Sequence, residues 1–142
     1  MSVVREPDLY KCTVGYVGVY DLDAQRDADF TASESGRNYL NDVYPPTKGE
    51  REAQSPAYGV DRIKTPILLV HGAKDVRVPI KNMHFLIDRL AKVGKKPDDV
   101  IVESKEAHGF RDIDNQVNLY TKMLAFFDKY IGTKSATAQA AK

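Results

Sequence analysis

One cysteine, Cys12, is all the thiol chemistry in 142 residues. A lone cysteine excludes an internal disulfide and a cysteine-built metal centre, and it reads as a small apolar residue rather than a reactive one. Excess charge of one sign is also missing: 21 basic residues against 20 acidic ones leave a net charge of +1. With no long run of either sign, neither nucleic acid nor an anionic membrane is expected as a partner. No apolar stretch approaches the roughly 20 residues that cross a bilayer, and the N-terminus lacks the basic and apolar regions of a signal peptide. The default expectation is therefore a cytoplasmic protein. There is no glycine-rich phosphate loop, and His71, Asp75 and His108 stand at none of the H-x-x-x-H or H-E-x-x-H spacings of a metal site. Nothing here calls for a metal or a cofactor. The length suits one domain that buries about two-thirds of its unfolded surface.

What the chain does have is centred on Thr65-Pro66-Ile67-Leu68-Leu69-Val70-His71-Gly72-Ala73-Lys74-Asp75-Val76-Arg77-Val78-Pro79. An unbroken apolar run ending in glycine and a polar turn is how a strand buried on both faces reads. Pro79 stands where a first helical residue would, and from Ile80 the pattern turns helical. Ile80, Met83, Ile87, Leu90 and Ala91 fall on one helix face, and Gly94 ends it. The unit is strand, loop, helix, with an acidic residue at the strand's carboxyl end, the edge where open α/β sheets collect their chemistry.

Around this unit the rest of the chain can be placed. Cys12 to Tyr20 reads as a strand of branched and aromatic residues, with Gly15 and Gly18 allowing close backbone approach. Asp21 to Ala32 is polar connection, and Ser33 to Tyr44 predicts a helix stopped by Pro45-Pro46. A helical turn follows over Lys48 to Ala53, and then a loop from Ser55 to Lys64. Asp98 to Glu103 is a third strand. Val117, Tyr120, Leu124, Phe127 and Ile131 mark one face of a closing helix ended by Gly132. The expected class is α/β, with three parallel strands alternating with helices. Residues 133–142 are small and polar and are expected to be a disordered tail.

Ala107-His108-Gly109-Phe110 lies in the loop that leaves the third strand, so Asp75 and His108 project from one sheet edge. An Asp and then a His at the carboxyl ends of strands is the order in which α/β-hydrolases present the last two members of a Ser-Asp-His triad. In those roles His108 moves the proton and Asp75 fixes its tautomer. Each has a plainer reading too: Asp75 as a cap for the helix after Pro79, His108 as an ordinary loop histidine. Arg77 either lines the site or pairs with a surface carboxylate. His71, directly after a buried strand, reads as a packed, hydrogen-bonded residue, and His84 as a surface one.

The blocks Ser55-Pro56, Ile63 through Gly72, Asp75 with Arg77-Val78-Pro79, and Glu106-Ala107-His108-Gly109-Phe110 resemble the C-terminal part of the catalytic domain of the prolyl oligopeptidase family of serine peptidases. The closing helix fits as well, with Tyr120, Leu124, Ala125-Phe126-Phe127-Asp128 and Tyr130. The resemblance runs from about Val3 to Ile131. It implies a partial α/β-hydrolase fold over residues 1–132, with Asp75 and His108 as acid and base and a peptide as substrate of the complete enzyme; Arg77 is the candidate substrate-binding residue, with surface pairing as its other reading. Because H-G-x-x-D also occurs in esterases and lipases, an esterase of the same fold is the alternative, as is a non-catalytic α/β module.

One departure from that family stands out. Its members carry the nucleophilic serine in a G-x-S-x-G elbow, and no such motif occurs here; Ser35-Gly36 lacks the leading glycine and a preceding buried strand. The resemblance implies that these residues begin inside the helix that follows the elbow, without the nucleophile and at least one oxyanion donor. On its own such a chain is expected to be inactive, and to self-associate or to pair with the missing upstream segment.

Overall fold

The computed structural model describes residues 1–132, so the tail expected over 133–142 lies outside the described residues. At its centre is β2 (Ile67–Gly72), every residue of which is buried. It pairs in parallel with β1 (Thr13–Tyr16) on one side and β3 (Asp99–Glu103) on the other, giving the order β1-β2-β3. Side chains alternate across a strand, so β2 feeds two cores. Leu69 joins Met83, Leu86 and Leu90 of α4 (Lys81–Lys92) on one face. Leu68 and Val70 join Ile101, Leu119 and Phe126 under α5 (Ile113–Ile131) on the other. Each such side chain contributes about 1.5–3 kcal/mol by leaving water, which makes this run the main driving force for the sheet. The α/β class with three parallel strands is what the sequence predicts.

Two expected elements differ. The first strand covers Thr13–Tyr16 rather than Cys12 to Tyr20. Val17 takes φ +46°, a left-handed conformation that branched residues rarely adopt, and turns the chain out of the sheet. The close approach expected at the glycines is made by Tyr20: a Cβ on Gly15 would lie 2.1 Å from the Tyr20 hydroxyl, and one on Gly18 would lie 2.6 Å from its ring. Burial pushes the Tyr20 phenol up to about 12.

The second difference concerns the closing helix. Leu119 and Phe126 face the sheet with Met123, Phe127 and Tyr130 packed alongside, whereas Val117, Tyr120, Leu124 and Ile131 are more than half exposed. This helix carries two apolar stripes, and periodicity alone does not say which of them meets the strands.

Between β1 and β2 the chain makes short 3-10 turns and two helices, α2 (Glu34–Val43) and α3 (Lys48–Gln54), after the short α1 (Ser2–Arg5) that opens the chain. Ser33 caps α2 by accepting from the Gly36 amide, and Thr47 with Glu50 forms a capping box on α3. Two buried side chains hold the start of this insertion. Asn82 Oδ1 accepts from the Tyr20 and Asp21 amides at 3.1 and 3.0 Å, and Ser55 Oγ accepts from the Leu22 amide at 2.9 Å.

Candidate active site

Two loops leave the carboxyl ends of β2 and β3, and the first is shaped by Asp75. One of its carboxylate oxygens, Oδ1, accepts from the Arg77 and Val78 amides, both at 2.9 Å. These bonds fix a turn within the loop; they do not cap the helix as the plainer reading expected, because α4 starts only at Lys81 and has no side-chain cap. The other oxygen, Oδ2, accepts from His108 Nδ1–H at 2.9 Å. The two roles coexist because a carboxylate has two oxygens. Asp75 is wholly buried at its side chain, while the His108 ring is 39% exposed. With Nδ1–H committed to Asp75, a neutral His108 carries its lone pair on Nε2, the nitrogen of a general base.

Why the loops meet is legible in the glycines. A Cβ on Gly72 would sit 2.2 Å from the Ala107 carbonyl oxygen, so only glycine lets the second loop cross the end of β2. Across this contact the Ala73 amide donates to the Glu103 carbonyl and the Lys74 amide to the Glu106 carbonyl, each at 2.9 Å. Gly109 then turns the chain at φ +97°. The next amide, of Phe110, donates to the Tyr16 hydroxyl at 2.7 Å, and the two rings meet edge to face at 5.6 Å. Thus the last residue of β1 holds the loop that β3 carries.

From the other side the insertion grips the Asp75 loop. Gln25 Nε2 donates to the Arg77 carbonyl at 2.5 Å, and the Asp29 amide donates to the Val76 carbonyl at 2.8 Å. A cavity between them is lined by Gln25, Asp29, Phe30, Arg77, Val78 and His108. A second cavity beside His108 is walled in part by Arg77, Lys105 and Arg111. Arg77 lines both cavities, and among the described residues no salt bridge joins its side chain to a carboxylate.

The remaining candidates separate cleanly. His71 is fully buried; its Nε2–H donates to the Val78 carbonyl at 2.8 Å and lies 3.6 Å from Asp75 Oδ2, as a packed residue beneath the loop. His84 is exposed on α4. Cys12 is half-buried, and burial pushes its thiol up, away from the reactive thiolate. Ser35 shares a hydrogen bond with Ser33 at 3.2 Å at the start of α2. Among the described residues no group of three or more His, Cys, Asp or Glu is arranged to hold a metal. No described helix is long and apolar enough to cross a membrane.

Sequence reasoning passed over Tyr16 and Gln25, and it used Glu106 only as part of a motif. Glu106 is buried, and its carboxylate accepts from the Asn115 side chain at 2.8 Å and from the Arg111 and Asp112 amides at 2.9 and 3.0 Å. The hydrogen bond from Asn115, reinforced by those amides, holds its carboxyl below the usual range. The available signal was an acid two residues before the histidine and seven before the first residue of a helix.

With this geometry in hand, comparison with known proteins is direct. The sequence matches the prolyl oligopeptidase family over residues 1–134. A Mycobacterium tuberculosis puromycin-hydrolyzing peptidase superposes with a TM-score of 0.78 at 27% identity, over 92% of this chain and 20% of that one. The Pyrococcus horikoshii acylaminoacyl peptidase gives 0.77 at 20% identity, over 92% and 22%. An acylaminoacyl peptidase in complex with Z-Gly-Gly-Phe-chloromethyl ketone gives 0.75 at 20% identity, over 92% and 21%. The last two are likenesses of fold. The chain spans about a fifth of the length of these proteins.

Proposed function

Since the chain belongs to the prolyl oligopeptidase family of serine peptidases, we propose that it supplies the acid and base of a Ser-Asp-His triad, Asp75 and His108. In this reading a serine elbow on a segment beyond these residues completes the site, and the assembled enzyme hydrolyses peptide bonds. The observation that carries it is the 2.9 Å bond from His108 Nδ1–H to a wholly buried Asp75 whose other oxygen is already occupied. His108 Nε2 takes the serine proton as the hydroxyl oxygen attacks the scissile carbonyl, then gives that proton to the leaving amine. Asp75 keeps the tautomer and stabilises the imidazolium in between. Arg77, which lines both cavities, is the substrate-binding residue of this proposal.

The test is to join the chain to its upstream segment through the serine elbow and assay p-nitroanilides and p-nitrophenyl esters. Turnover of an anilide is the expected result. Turnover of esters alone contradicts the peptidase assignment, and no turnover of either contradicts the triad.

The same proposal gives the segment a place to dock. Among the described residues β1 pairs only with β2, and the stripe Ile113, Val117, Tyr120 and Leu124 of α5 is exposed. An open parallel edge beside an uncovered apolar helix face favours association. Without the segment, the 142-residue chain is expected to self-associate in light scattering. A monodisperse monomer with a cooperative, high-temperature melt contradicts the docking assignment.

A further inference from the structure

The loop from Glu103 to Asp112 carries His108 at its tip. Glu106 fixes that loop at both ends. Its carbonyl accepts from Lys74, which belongs to the Asp75 loop, and its carboxylate reaches forward across His108 to the amides of Arg111 and Asp112. The bonds from residue 106 to residues 111 and 112 close a small ring of backbone, with His108 inside it. Capping α5 does not account for this, because α5 already has a cap: Asp112 accepts from the Asp114 and Asn115 amides at 3.0 and 3.2 Å. A carboxylate that serves amides ahead of the helix and adds only the Asn115 side chain constrains the loop more than the helix. Its charge still gains from the positive end of α5.

We propose that Glu106 is the positioning residue for His108: its carboxylate closes the loop over residues 106–112 so that the imidazole meets Asp75 in a single orientation. The inference rests on the triad reading above and deepens it. Without the closure, His108 keeps its place in the chain but its ring samples both tautomers.

The test is a ¹H–¹⁵N spectrum of the histidine side chains, whose ring nitrogens report the tautomer. The chain has only three histidines, so His71 and His84 serve as internal references. In the wild-type chain His108 is expected to show a proton on Nδ1 alone. In Glu106→Gln, which turns an N–H₂ toward N–H donors, and in Glu106→Asp, which withdraws the carboxylate by one methylene, that pattern is expected to be lost to averaging. The His71 signals should stay as they are. Asn115→Ala, which removes one of the three bonds, is expected to give partial averaging. If Glu106 were merely structural, the variants would lower the urea midpoint yet leave the His108 tautomer unchanged. The inference is overturned if the most strongly altered variant that still folds keeps the wild-type pattern. A wild-type His108 without the Nδ1 proton contradicts the triad assignment itself, and this inference with it.

Discussion

Replacing His108 by alanine, in the protein completed with its serine elbow, is expected to lower kcat on a p-nitroanilide by about a million-fold, the loss that follows removal of a triad base. The size follows from the arrangement. His71 has its Nε2–H committed to a backbone carbonyl beneath the loop, and His84 is on the solvent side of α4. Neither can inherit the proton. His108 is 39% exposed at its side chain, but its removal leaves the buried Asp75 Oδ2 without its donor, so the midpoint of a circular-dichroism melt should fall while the fold is kept and turnover disappears. A rate within a factor of about two of wild type, less than ~0.5 kcal/mol of barrier, contradicts the assignment.

Asp75→Asn should cost about ten-thousand-fold, close to 5.5 kcal/mol of barrier. The hydrogen bonds of Asp75 dictate the direction. The Arg77 and Val78 amides both need an acceptor, so the asparagine carbonyl oxygen must stay where Oδ1 is now. Its N–H₂ then faces His108 Nδ1 across the present 2.9 Å contact. A donor there forces Nδ1 to accept and moves the ring proton to Nε2, where a base needs a lone pair. The fold keeps its turn while the base is switched to the wrong tautomer. Steady-state kcat on the same anilide checks this, and a loss under about ten-fold would contradict it.

The strand at the centre of the fold was legible because one contiguous apolar run, Ile67 to Val70, decides it. Asp75 and His108 were legible for the same kind of reason: each stands a few residues past a strand end, and parallel strands bring those ends to one edge. What stayed hidden depends on contacts distant in sequence. The length of β1 is set where Val17 turns into a left-handed conformation with Tyr20 folded against the glycines. Which stripe of α5 meets the sheet depends on the register of a helix against strands as far back as residue 68. Tyr16 acts on Phe110, and Gln25 on Arg77, through bonds spanning 94 and 52 residues. No window of sequence contains such pairs.

Glu106 is the instructive intermediate case. Its neighbours Arg111, Asp112 and Asn115 are all within nine residues, so the partners are local, yet the motif Glu-Ala-His-Gly-Phe does not say where the carboxylate points. Burial decides that. A carboxylate taken out of water must find donors, and the amides just ahead of α5 are the nearest supply.

The most direct test of the central claim, that these residues hold the base and its acid but not the attacking atom, is labelling with a fluorophosphonate probe. The chain alone should remain unlabelled, and the chain joined to its upstream elbow should take up one equivalent at a serine outside these 142 residues. Stoichiometric labelling of any of the chain's own serines would contradict the claim.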